Sequence, residues 1–498
     1  MTDKDLKQGV TRGFFWKALE NGGDQAVTFL ISIVLARLVG PEKYGTMSVL
    51  LIFVTIANVV IQSGFQTALI QKKEADEDDF TSVFWLGLLV SLVLYLIIFA
   101  AAPFISVYFE DPSIKSMLRV LSLILFSGSV TSLLFARIAR DLNFRLQCLA
   151  TIAAGIVSGT AGIIAAMNGA GTWALIIQQL LKNVLLAVIL SVLLKYVPRG
   201  HFSMEKVKSL FSYGWKVLVS GLIDTVYTNL YTPVIQKLYD PVMVGLYNRA
   251  NQFPLVLAQS GAATMQSVLL PAFSKTNGES EKGRAIMRRS LKLSGYIMFP
   301  AMFGIMAVAE PLTLAVLGED WMGAVPLLRL CCLSFSVWHI HVANLQAINA
   351  SGRSDIYLKL EIIKKAAGIL VLILSVRFGV TVMILFKALF DYVCTFINGA
   401  PNKKLIGYSP LKQWRDMLPE FLCASVMGAA TYFSGILYKA YLPVTGGAGN
   451  LLLLAAEICT GAVIYLLLSL IFKLESFRYL LNAAAEYIPV LKKYGNEN

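Results

Sequence analysis

Apolar stretches of about twenty residues recur along this chain, and each is long enough to cross roughly 30 Å of hydrocarbon as an α-helix. Hydrophobic residues make up 57% of the 498 residues and charged residues only 15%. A soluble chain would carry roughly a quarter charged residues and would need a polar face on each helix, which most of these stretches lack. The sequence therefore predicts an all-α integral membrane protein.

Fourteen membrane-spanning segments are predicted, and Gly-Pro, Asp-Pro and Gly-rich turns separate them. The predicted segments are 14–38, 45–70, 80–102, 115–136, 147–168, 171–195, 213–238, 242–270, 290–309, 323–350, 356–376, 380–399, 417–438 and 449–472. An even number of crossings leaves both chain ends on the same side of the membrane.

Basic residues are sorted between the two sets of connections that these segments define. Thirty Lys and Arg residues are grouped with the connections and adjoining helix ends on the side of the N-terminus, six with those on the opposite side, and seven with the interior of the segments. Because cytoplasmic loops carry the excess of Lys and Arg, both termini are predicted to be cytoplasmic. The net charge of +13 mostly reflects this asymmetry, so nucleic acid is not an expected partner.

Four short motifs occur twice, in the same order and at offsets of 197 to 210 residues. The pairs are Trp16-Lys17 with Trp215-Lys216, LxxPxxxG at 38–45 with 238–245, QSG at 62–64 with 259–261, and Leu118-Arg119 with Leu328-Arg329. Each copy contains six predicted segments, so the repeat is parallel. The predicted domains are an N-lobe at 1–200, a C-lobe at 201–400, and 401–498 with the last two spans and a cytoplasmic tail.

Ionisable residues inside the spans are the candidate functional groups, because a charge at the bilayer centre costs roughly 2.5–3.5 kcal/mol unless it faces water or a partner. The first span carries a stripe on one helical face, formed by Lys17, Glu20, Asn21, Asp24 and Thr28. The seventh span repeats it with Lys216, Ser220, Asp224 and Tyr227. We expect the two stripes to line a central cavity, with the aspartates turned away from lipid.

Further cavity candidates are Arg249 and Gln252 in the eighth span, Asn58, Gln62 and Gln66 in the second, and Lys387 and Asp391 in the twelfth. Two pairs, Lys17–Glu20 and Lys387–Asp391, have the spacing to satisfy each other locally instead. Arg249 has no acidic neighbour within one turn, so its partner is expected on another helix or on a ligand. Two glycines, Gly155 and Gly159, are predicted to form a helix-packing contact.

Motifs for nucleotide and metal chemistry are absent from the sequence. No phosphate-binding loop or dinucleotide fingerprint occurs. The closest histidine pair, His339 and His341, cannot share a helix face, so no metal site is predicted. The outer loops are short, the longest being about a dozen residues near 103–114 and 310–322, whereas a membrane glycan polymerase usually needs a large outer domain. We therefore expect a protein that is not an enzyme and binds no cofactor.

Several sequence pieces resemble a known family of transporters. The main one is LARLVGPEKYGT at 35–46, and the others are GFQTALIQ at 64–71, GTWAL at 171–175, GLYNRA at 245–250, PAFS at 271–274 and ASGR at 350–353. Together they resemble the polysaccharide-transporter or Wzx-type oligosaccharide flippases of the MOP superfamily, especially exporters of the colanic-acid or teichuronic-acid type.

The resemblance implies two six-helix lobes that form a V, two additional C-terminal helices, and alternating access by rocking of the lobes in a bacterial cytoplasmic membrane. The implied substrate is an oligosaccharide linked to undecaprenyl diphosphate, moved for export of a surface polysaccharide. Membrane lipids and other polysaccharide-assembly proteins are the implied partners of a monomer. By position, the basic residues that hold the diphosphate would be Lys17, Lys216 and Arg249. Coupling to H⁺ or Na⁺ is left open.

Other functions are also compatible with such a sequence. A multidrug or cation antiporter of the same superfamily would use Asp24 and Asp224 as H⁺ or Na⁺ sites, although the cationic residues argue against a cationic drug. A lipid II flippase would share the fold and the anionic headgroup. A membrane glycan polymerase fits less well because of the short outer loops.

Overall fold

The computed structural model describes residues 3–62, 69–70, 72, 75–141, 143–196, 198–274, 279–441 and 446–487. Within these ranges every regular element is a helix and none is a strand. The predicted all-α class is confirmed.

By packing, the chain divides into two compact units, Met1–Gly245 and Leu246–Asn498. The helices of the first unit are α1 (Asp3–Val39), α2 (Pro41–Gln62), α3 (Glu77–Tyr108), α4 (Ser113–Leu121), α5 (Ile124–Asp141), α6 (Phe144–Met167), α7 (Thr172–Leu194), α8 (Met204–Asn229) and α9 (Tyr231–Leu238). The division into lobes at residues 200 and 400, which follows the repeat period, stays a prediction.

Helix α10 (Pro241–Ser274) begins at the end of the first unit and continues into the second. The other helices of the second unit are α11 (Ser280–Ala307), α12 (Ala309–Val316), α13 (Ala324–Ser336), α14 (Trp338–Ala350), α15 (Ser354–Ser375), α16 (Val380–Gly399), α17 (Asn402–Leu405), α18 (Pro410–Tyr441), α19 (Gly446–Ile471) and α20 (Glu475–Tyr487).

Twelve helical segments of the described part are long and apolar enough to cross a membrane. Two more helices, α8 and α15, have 26 and 22 residues and overlap the predicted seventh and eleventh spans. Both helices are less apolar than the twelve segments because they contain more polar and charged residues. In α15 these include Lys359, Glu361, Lys364 and Lys365. The number of spans is therefore about fourteen.

Three predicted spans are interrupted in the structure, although the sequence predicts continuous helices there. The seventh span breaks between α8 and α9, because Pro233 has no N–H to bond the carbonyl of Asn229. The ninth predicted span, 290–309, ends where α11 ends, and α12 instead occupies residues that the sequence predicted as an outer loop. Pro311, which cannot bond the carbonyl of Ala307, separates the two helices. The fourth and tenth, which are equivalent in the repeat, break between α4 and α5 and between α13 and α14.

Each copy of the repeated LxxPxxxG motif starts a helix at its proline. Pro41 opens α2 and Pro241 opens α10. Proline suits the first helical position because the N–H that it lacks would have no partner within the helix. The residue before Pro41 is Gly40, whose φ of +80° favours glycine and ends α1 sharply.

Each unit has an apolar interior of its own, while apolar side chains also cover the outer surface. Leu50, Leu118 and Leu125 are fully buried in the first unit. Phe299 and Met417 are fully buried in the second. The outward side chains of α3 include Leu89, Leu92, Leu96 and Ile97, all of them exposed. Such a surface is suited to lipid rather than water.

Ion pairs join loops that the charge pattern assigns to the same side of the membrane. On the predicted cytoplasmic side these pairs are Lys72–Asp79, Arg137–Glu77, Lys206–Asp76 and Arg288–Glu475. On the predicted outer side they are Lys237–Glu110 and Lys439–Glu310. None of these pairs joins a predicted cytoplasmic loop to a predicted outer loop, which agrees with the predicted grouping of loops.

Candidate functional site

A charged cluster lies between α1 and α7 in the first unit. The Nζ atom of Lys182 on α7 lies 2.7 Å from the Oδ1 atom of Asp24 on α1 and 3.0 Å from the Oγ1 atom of Thr28. The Thr28 hydroxyl also lies within 3.4 Å of Asp24 Oδ1. Both charged side chains are only partly exposed, so a cation and an anion neutralise each other inside the predicted membrane region.

Glycines on α6 allow α1 to approach closely enough for this cluster to form. A Cβ atom on Gly155 would lie 3.4 Å from Val27 Cγ1 and 3.8 Å from Asp24 Oδ1, and one on Gly159 would overlap Ile31. The side chains of α1 therefore fill the space that the two missing Cβ atoms leave. The predicted packing role of Gly155 and Gly159 is confirmed.

One turn before Asp24, Glu20 is buried, with 6% of its surface exposed. Its Oε1 atom accepts a hydrogen bond of 2.9 Å from Gln147 Nε2 on α6. The side chains of Lys17 and Asn21 lie outside the described part of the chain, so the predicted Lys17–Glu20 pair stays a prediction. The members of the stripe that are described meet two different helices, α6 and α7.

Lys182 is the member of this cluster that sequence reasoning missed. It was one of the seven basic residues inside predicted spans, but it had no acidic residue one turn away on its own helix. The available signal was its position in the middle of the sixth predicted span, where a lysine needs a partner. Its partner Asp24 is 158 residues away in the chain.

A second cluster lies in the second unit around Arg249 of α10. Arg249 is buried, with 5% of its surface exposed, and its Nη1 atom donates a hydrogen bond of 2.6 Å to Gln252 Oε1. Its guanidinium carbon lies 6.0 Å from the ring centroid of Trp321, at the limit of a cation–π interaction. The sequence predicts the partner of Arg249 on another helix or on a ligand when only acidic partners are considered. The amide of Gln252, one turn ahead on the same helix, is an additional partner.

A third cluster joins α13 and α16. Lys387 Nζ lies 2.9 Å from Asp391 Oδ2, which confirms that the two residues can pair across one turn. Ser334 of α13 takes part as well, because Lys387 lies 2.9 Å from its hydroxyl and that hydroxyl donates to Asp391. The three side chains are partly buried and satisfy one another.

The other predicted cavity residues lie outside these three clusters. Asp224 is exposed on α8, and the side chain of Lys216 lies outside the described residues. On α2 Gln62 is exposed, and Asn58 lies next to Gly128 of α5. A cavity role for these side chains stays a prediction, as does the orientation of Asp224 away from lipid.

The histidines of the second unit lie in its packed interior. His339 is edge-on to Phe299, with ring centroids 4.9 Å apart, and His341 Nδ1 lies 3.0 Å from Asn398 Nδ2. Among the described residues, no three His, Cys, Asp or Glu side chains converge as a metal site would require. The chemistry that these clusters offer is binding and charge neutralisation.

The family model described as "Polysaccharide biosynthesis protein" matches residues 34–326, which is more than half of the chain. The chain belongs to this family. The match starts inside α1 and ends just beyond Trp321. It includes Lys182, and Arg249 with its neighbours Gln252 and Trp321, whereas Asp24, the partner of Lys182, lies before its start. The predicted resemblance to polysaccharide transporters is confirmed.

Three curated relatives of the family are similar over much of their length. The succinoglycan biosynthesis transport protein ExoT of Rhizobium meliloti is 25% identical over 67% of this chain and 68% of its own. The lipopolysaccharide biosynthesis protein WzxC of Escherichia coli is 24% identical over 72% and 73%. The teichuronic acid biosynthesis protein TuaB of Bacillus subtilis is 23% identical over 60% and 62%.

Two solved structures resemble the fold of this family member. The inward closed conformation of the lipid II flippase MurJ has a TM-score of 0.74 at 14% identity and covers 92% of this chain and 98% of its own. An inward-facing MATE transporter of the MOP superfamily has a TM-score of 0.56 at 14% identity and covers 81% and 95%. At such low identity these likenesses concern the fold alone, and they agree with the predicted all-α membrane fold.

Proposed function

We propose that this protein is a flippase that moves an undecaprenyl-diphosphate-linked oligosaccharide across the bacterial cytoplasmic membrane by alternating access, for export of a surface polysaccharide. The observation that carries the proposal is the family match over residues 34–326, in a chain whose described part holds twelve segments apolar enough to cross a membrane. The names of the relatives point to assembly or transport of succinoglycan, lipopolysaccharide and teichuronic acid, which are all surface glycans.

The basic groups inside the spans suit a substrate with an anionic headgroup. The Lys182 ammonium has three N–H donors, and Asp24 and Thr28 engage two of them. A phosphate oxygen can take the third, or can replace the Asp24 carboxylate. Arg249 offers a planar guanidinium that grips two phosphate oxygens at once, and Gln252 and Trp321 hold it in place.

Pairing with Lys182 also gives Asp24 a role in the empty transporter. An ammonium group inside the membrane region needs an anion nearby whenever the substrate is absent. The carboxylate supplies that anion and can be exchanged for the diphosphate. We extend the proposed substrate site to Lys182 and keep Lys17, Lys216, Asp224 and the Lys387–Asp391 pair as further candidates.

A cation antiporter is less compatible with this arrangement. In such a protein Asp24 would have to bind H⁺, Na⁺ or a cationic drug, but its carboxylate is already neutralised by Lys182 at 2.7 Å. An incoming cation would have to displace the ammonium. The likeness to a lipid II flippase concerns the fold and gives no reason to prefer lipid II as the substrate.

The test is export of glycan by a deletion strain that carries variants of the gene. Arg249→Lys keeps the charge but loses the two-pronged contact, so we expect partial export. Arg249→Ala should abolish most export while the protein still accumulates in the membrane. Arg284→Ala removes an exposed arginine and is the matched control. Surface glycan is measured against the membrane level of each variant.

Each part of the proposal would be contradicted by a different result. Normal export by Arg249→Ala would exclude a ligand role for that residue. Normal surface glycan in the deletion strain itself, combined with loss of lipid II translocation, would overturn the proposed substrate in favour of a lipid II flippase.

A further inference from the structure

A carboxyl group is buried between the last two long helices, outside the predicted twelve-span repeat. Glu457 lies in α19, within the candidate span Gly449–Ile471, and only 2% of its surface is exposed. No described residue donates a hydrogen bond to it or forms an ion pair with it. Burying an ionised carboxylate without a partner costs several kcal/mol or more, so such a group takes up a proton instead.

The neighbouring helix α18 is shaped to receive this side chain. A Cβ atom on Gly435 would lie 2.7 Å from Glu457 Cδ and 3.2 Å from its Oε2 atom, so only a glycine leaves room for the carboxyl group. One turn away the relation is reversed, and Thr431 of α18 lies against Gly461 of α19. Thr431 is 1% exposed, and its hydroxyl has no hydrogen-bond partner. The interface thus buries two polar groups that are not satisfied.

The charged groups that face Glu457 lie towards the predicted outer end of these helices. Lys439 lies one turn beyond Gly435 on α18, and its Nζ atom is 2.6 Å from Glu310 Oε1 on α12. Among the described residues, Lys439 and Glu310 are the charged groups that interact electrostatically with Glu457. The side chains of both residues are partly exposed.

The other described polar contacts between α19 and the helices packed on it join neutral groups. On α18, the Tyr438 hydroxyl lies 2.8 Å from Thr460 Oγ1. Tyr296 of α11 packs on the opposite half of α19, where its hydroxyl lies 3.1 Å from Ser469 Oγ. Among the described residues, Lys439 is therefore the cation that could leave its ion pair with Glu310 and form one with Glu457 instead.

We propose that Glu457 is a proton-binding site that couples the proton gradient to transport. The carboxyl group keeps its proton while Lys439 pairs with Glu310. When Lys439 turns to Glu457, the proton leaves to water, the carboxylate pairs with the ammonium, and Glu310 becomes solvated. One proton is released or taken up, and no covalent bond other than O–H changes. The inference rests on the proposed transport function but uses residues outside its substrate clusters.

Infrared spectroscopy on the full-length protein in lipid vesicles tests proton binding directly, with the proton as the only ligand. We expect a protonated-carboxyl band that disappears as the pH is raised from 5 to 9, and that is missing in Glu457→Gln. The same band should persist in Glu310→Gln and Glu420→Gln. In Glu310→Gln it should disappear at lower pH than in the wild type, because Lys439 is then free to stabilise the Glu457 carboxylate. A band that is unchanged by pH or by Glu457→Gln would overturn the proposal.

Export at two external pH values tests the coupling. Surface glycan per membrane protein should be severalfold higher at pH 6 than at pH 8 for the wild type, because the acidic side drives protons inward. Glu457→Gln, which mimics the protonated carboxyl group, should lose this dependence. If that variant fails to accumulate, Lys439→Gln serves instead, since it leaves Glu457 without a partner cation and should also remove the pH dependence.

The two proposals fail in different ways. Retention of the wild-type pH dependence by Glu457→Gln would exclude the coupling role while glycan transport stands. Absence of any effect of the gene on surface glycan would exclude the proposed transport function, while the infrared titration of Glu457 would still report on the proton site.

Discussion

Gly45 and Gly245 lie against each other, so that a Cβ atom on Gly45 would be 3.1 Å from the amide nitrogen of Gly245. The relation is reciprocal. A Cβ on Gly45 would overlap the carbonyl of Pro241, and a Cβ on Gly245 would overlap the carbonyl of Pro41. The two glycines occupy the same position of the repeated LxxPxxxG motif, so the motif recurs because its two copies form one contact.

Alanine at either glycine should destabilise the protein. The added methyl group meets backbone atoms, which cannot rotate away as a side chain can, and overpacking typically costs about 1–3 kcal/mol. We expect Gly45→Ala and Gly245→Ala each to lower the melting temperature of the detergent-purified protein and to reduce export. Gly22→Ala is the control, because nothing lies within 4 Å of a Cβ there. Unchanged melting of both variants would show that the backbones are not in contact.

The sequence predicted most helix positions well because they depend on local pattern. Apolar length marks a span, and Pro41 and Pro241 mark two equivalent helix starts. The break before α9 was also readable, since Pro233 removes a specific backbone hydrogen bond. It was overlooked because hydropathy alone does not distinguish one helix from two that follow each other.

For the clusters around Asp24 and Arg249, the sequence identified one residue of each contact but not its partner. Asp24 and Arg249 stood out as charges in apolar spans, but their partners depend on which helices touch. Lys182 reaches Asp24 only because α1 fits into the space left by Gly155 and Gly159 of α6. Such proximity between helices that are far apart in the chain is not encoded in any short motif.

The Asp24–Lys182 pair should combine a structural with a functional role. Lys182→Met leaves an unpaired carboxylate within the membrane region, so we expect less protein in the membrane. Asp24→Asn together with Lys182→Met removes both charges and should restore the level. Unfolding of the four proteins in detergent should give a coupling of about 0.5–3 kcal/mol between the two sites.

Export separates the two roles of this pair. Because Lys182 is proposed to bind the diphosphate, the double variant should accumulate but not export. The matched control is the exposed pair Glu279–Lys282, whose double substitution Glu279→Gln/Lys282→Met should affect neither level nor export. Full export by the Asp24→Asn/Lys182→Met variant would exclude the proposed binding of the substrate by Lys182.

The loop between α7 and α8 is anchored to the start of α3, and this anchor has a defined pH dependence. Lys206 binds Asp76 at 2.5 Å, and the backbone amide of His201 donates to Asp78. The hydrogen bond from Lys206 and that from the amide of Asp79 lower the pKa of Asp76 from 3.8 to about 2. Since that pKa is depressed in the folded state, the contribution to stability is complete above pH 3.8 and is lost as the pH falls towards 2.

Lys206→Gln should therefore lower the melting temperature by the same small amount at pH 7 and at pH 5. The effect is small because 60% of the Asp76 side chain is exposed and water screens the pair. The difference from the wild type should shrink only below about pH 4. Lys208→Gln, at an exposed lysine on the same helix, controls for the loss of charge. A difference that vanished between pH 7 and pH 5 would contradict the depressed pKa.

The orientation of the chain in the membrane can be tested at residues whose environment the structure defines. Lys237 at the end of α9 lies 2.9 Å from Glu110 Oε1 and 2.7 Å from the carbonyl oxygen of Tyr108. These contacts tie the end of the seventh span to the loop after the third, and both carry few basic residues. The positive-inside rule assigns such loops to the outer face.

In intact cells, an impermeant maleimide should therefore label Glu110→Cys and Asp320→Cys but not Ser280→Cys. All three positions are exposed in the protein, so access depends only on the side of the membrane. The native cysteines are replaced first, because Cys459 is exposed while the other five are buried. Permeabilised cells provide the control, since Ser280→Cys should then react as well. Labelling of Ser280→Cys in intact cells, with protection of Glu110→Cys, would reverse the topology and place the Lys439–Glu310 pair on the cytoplasmic side.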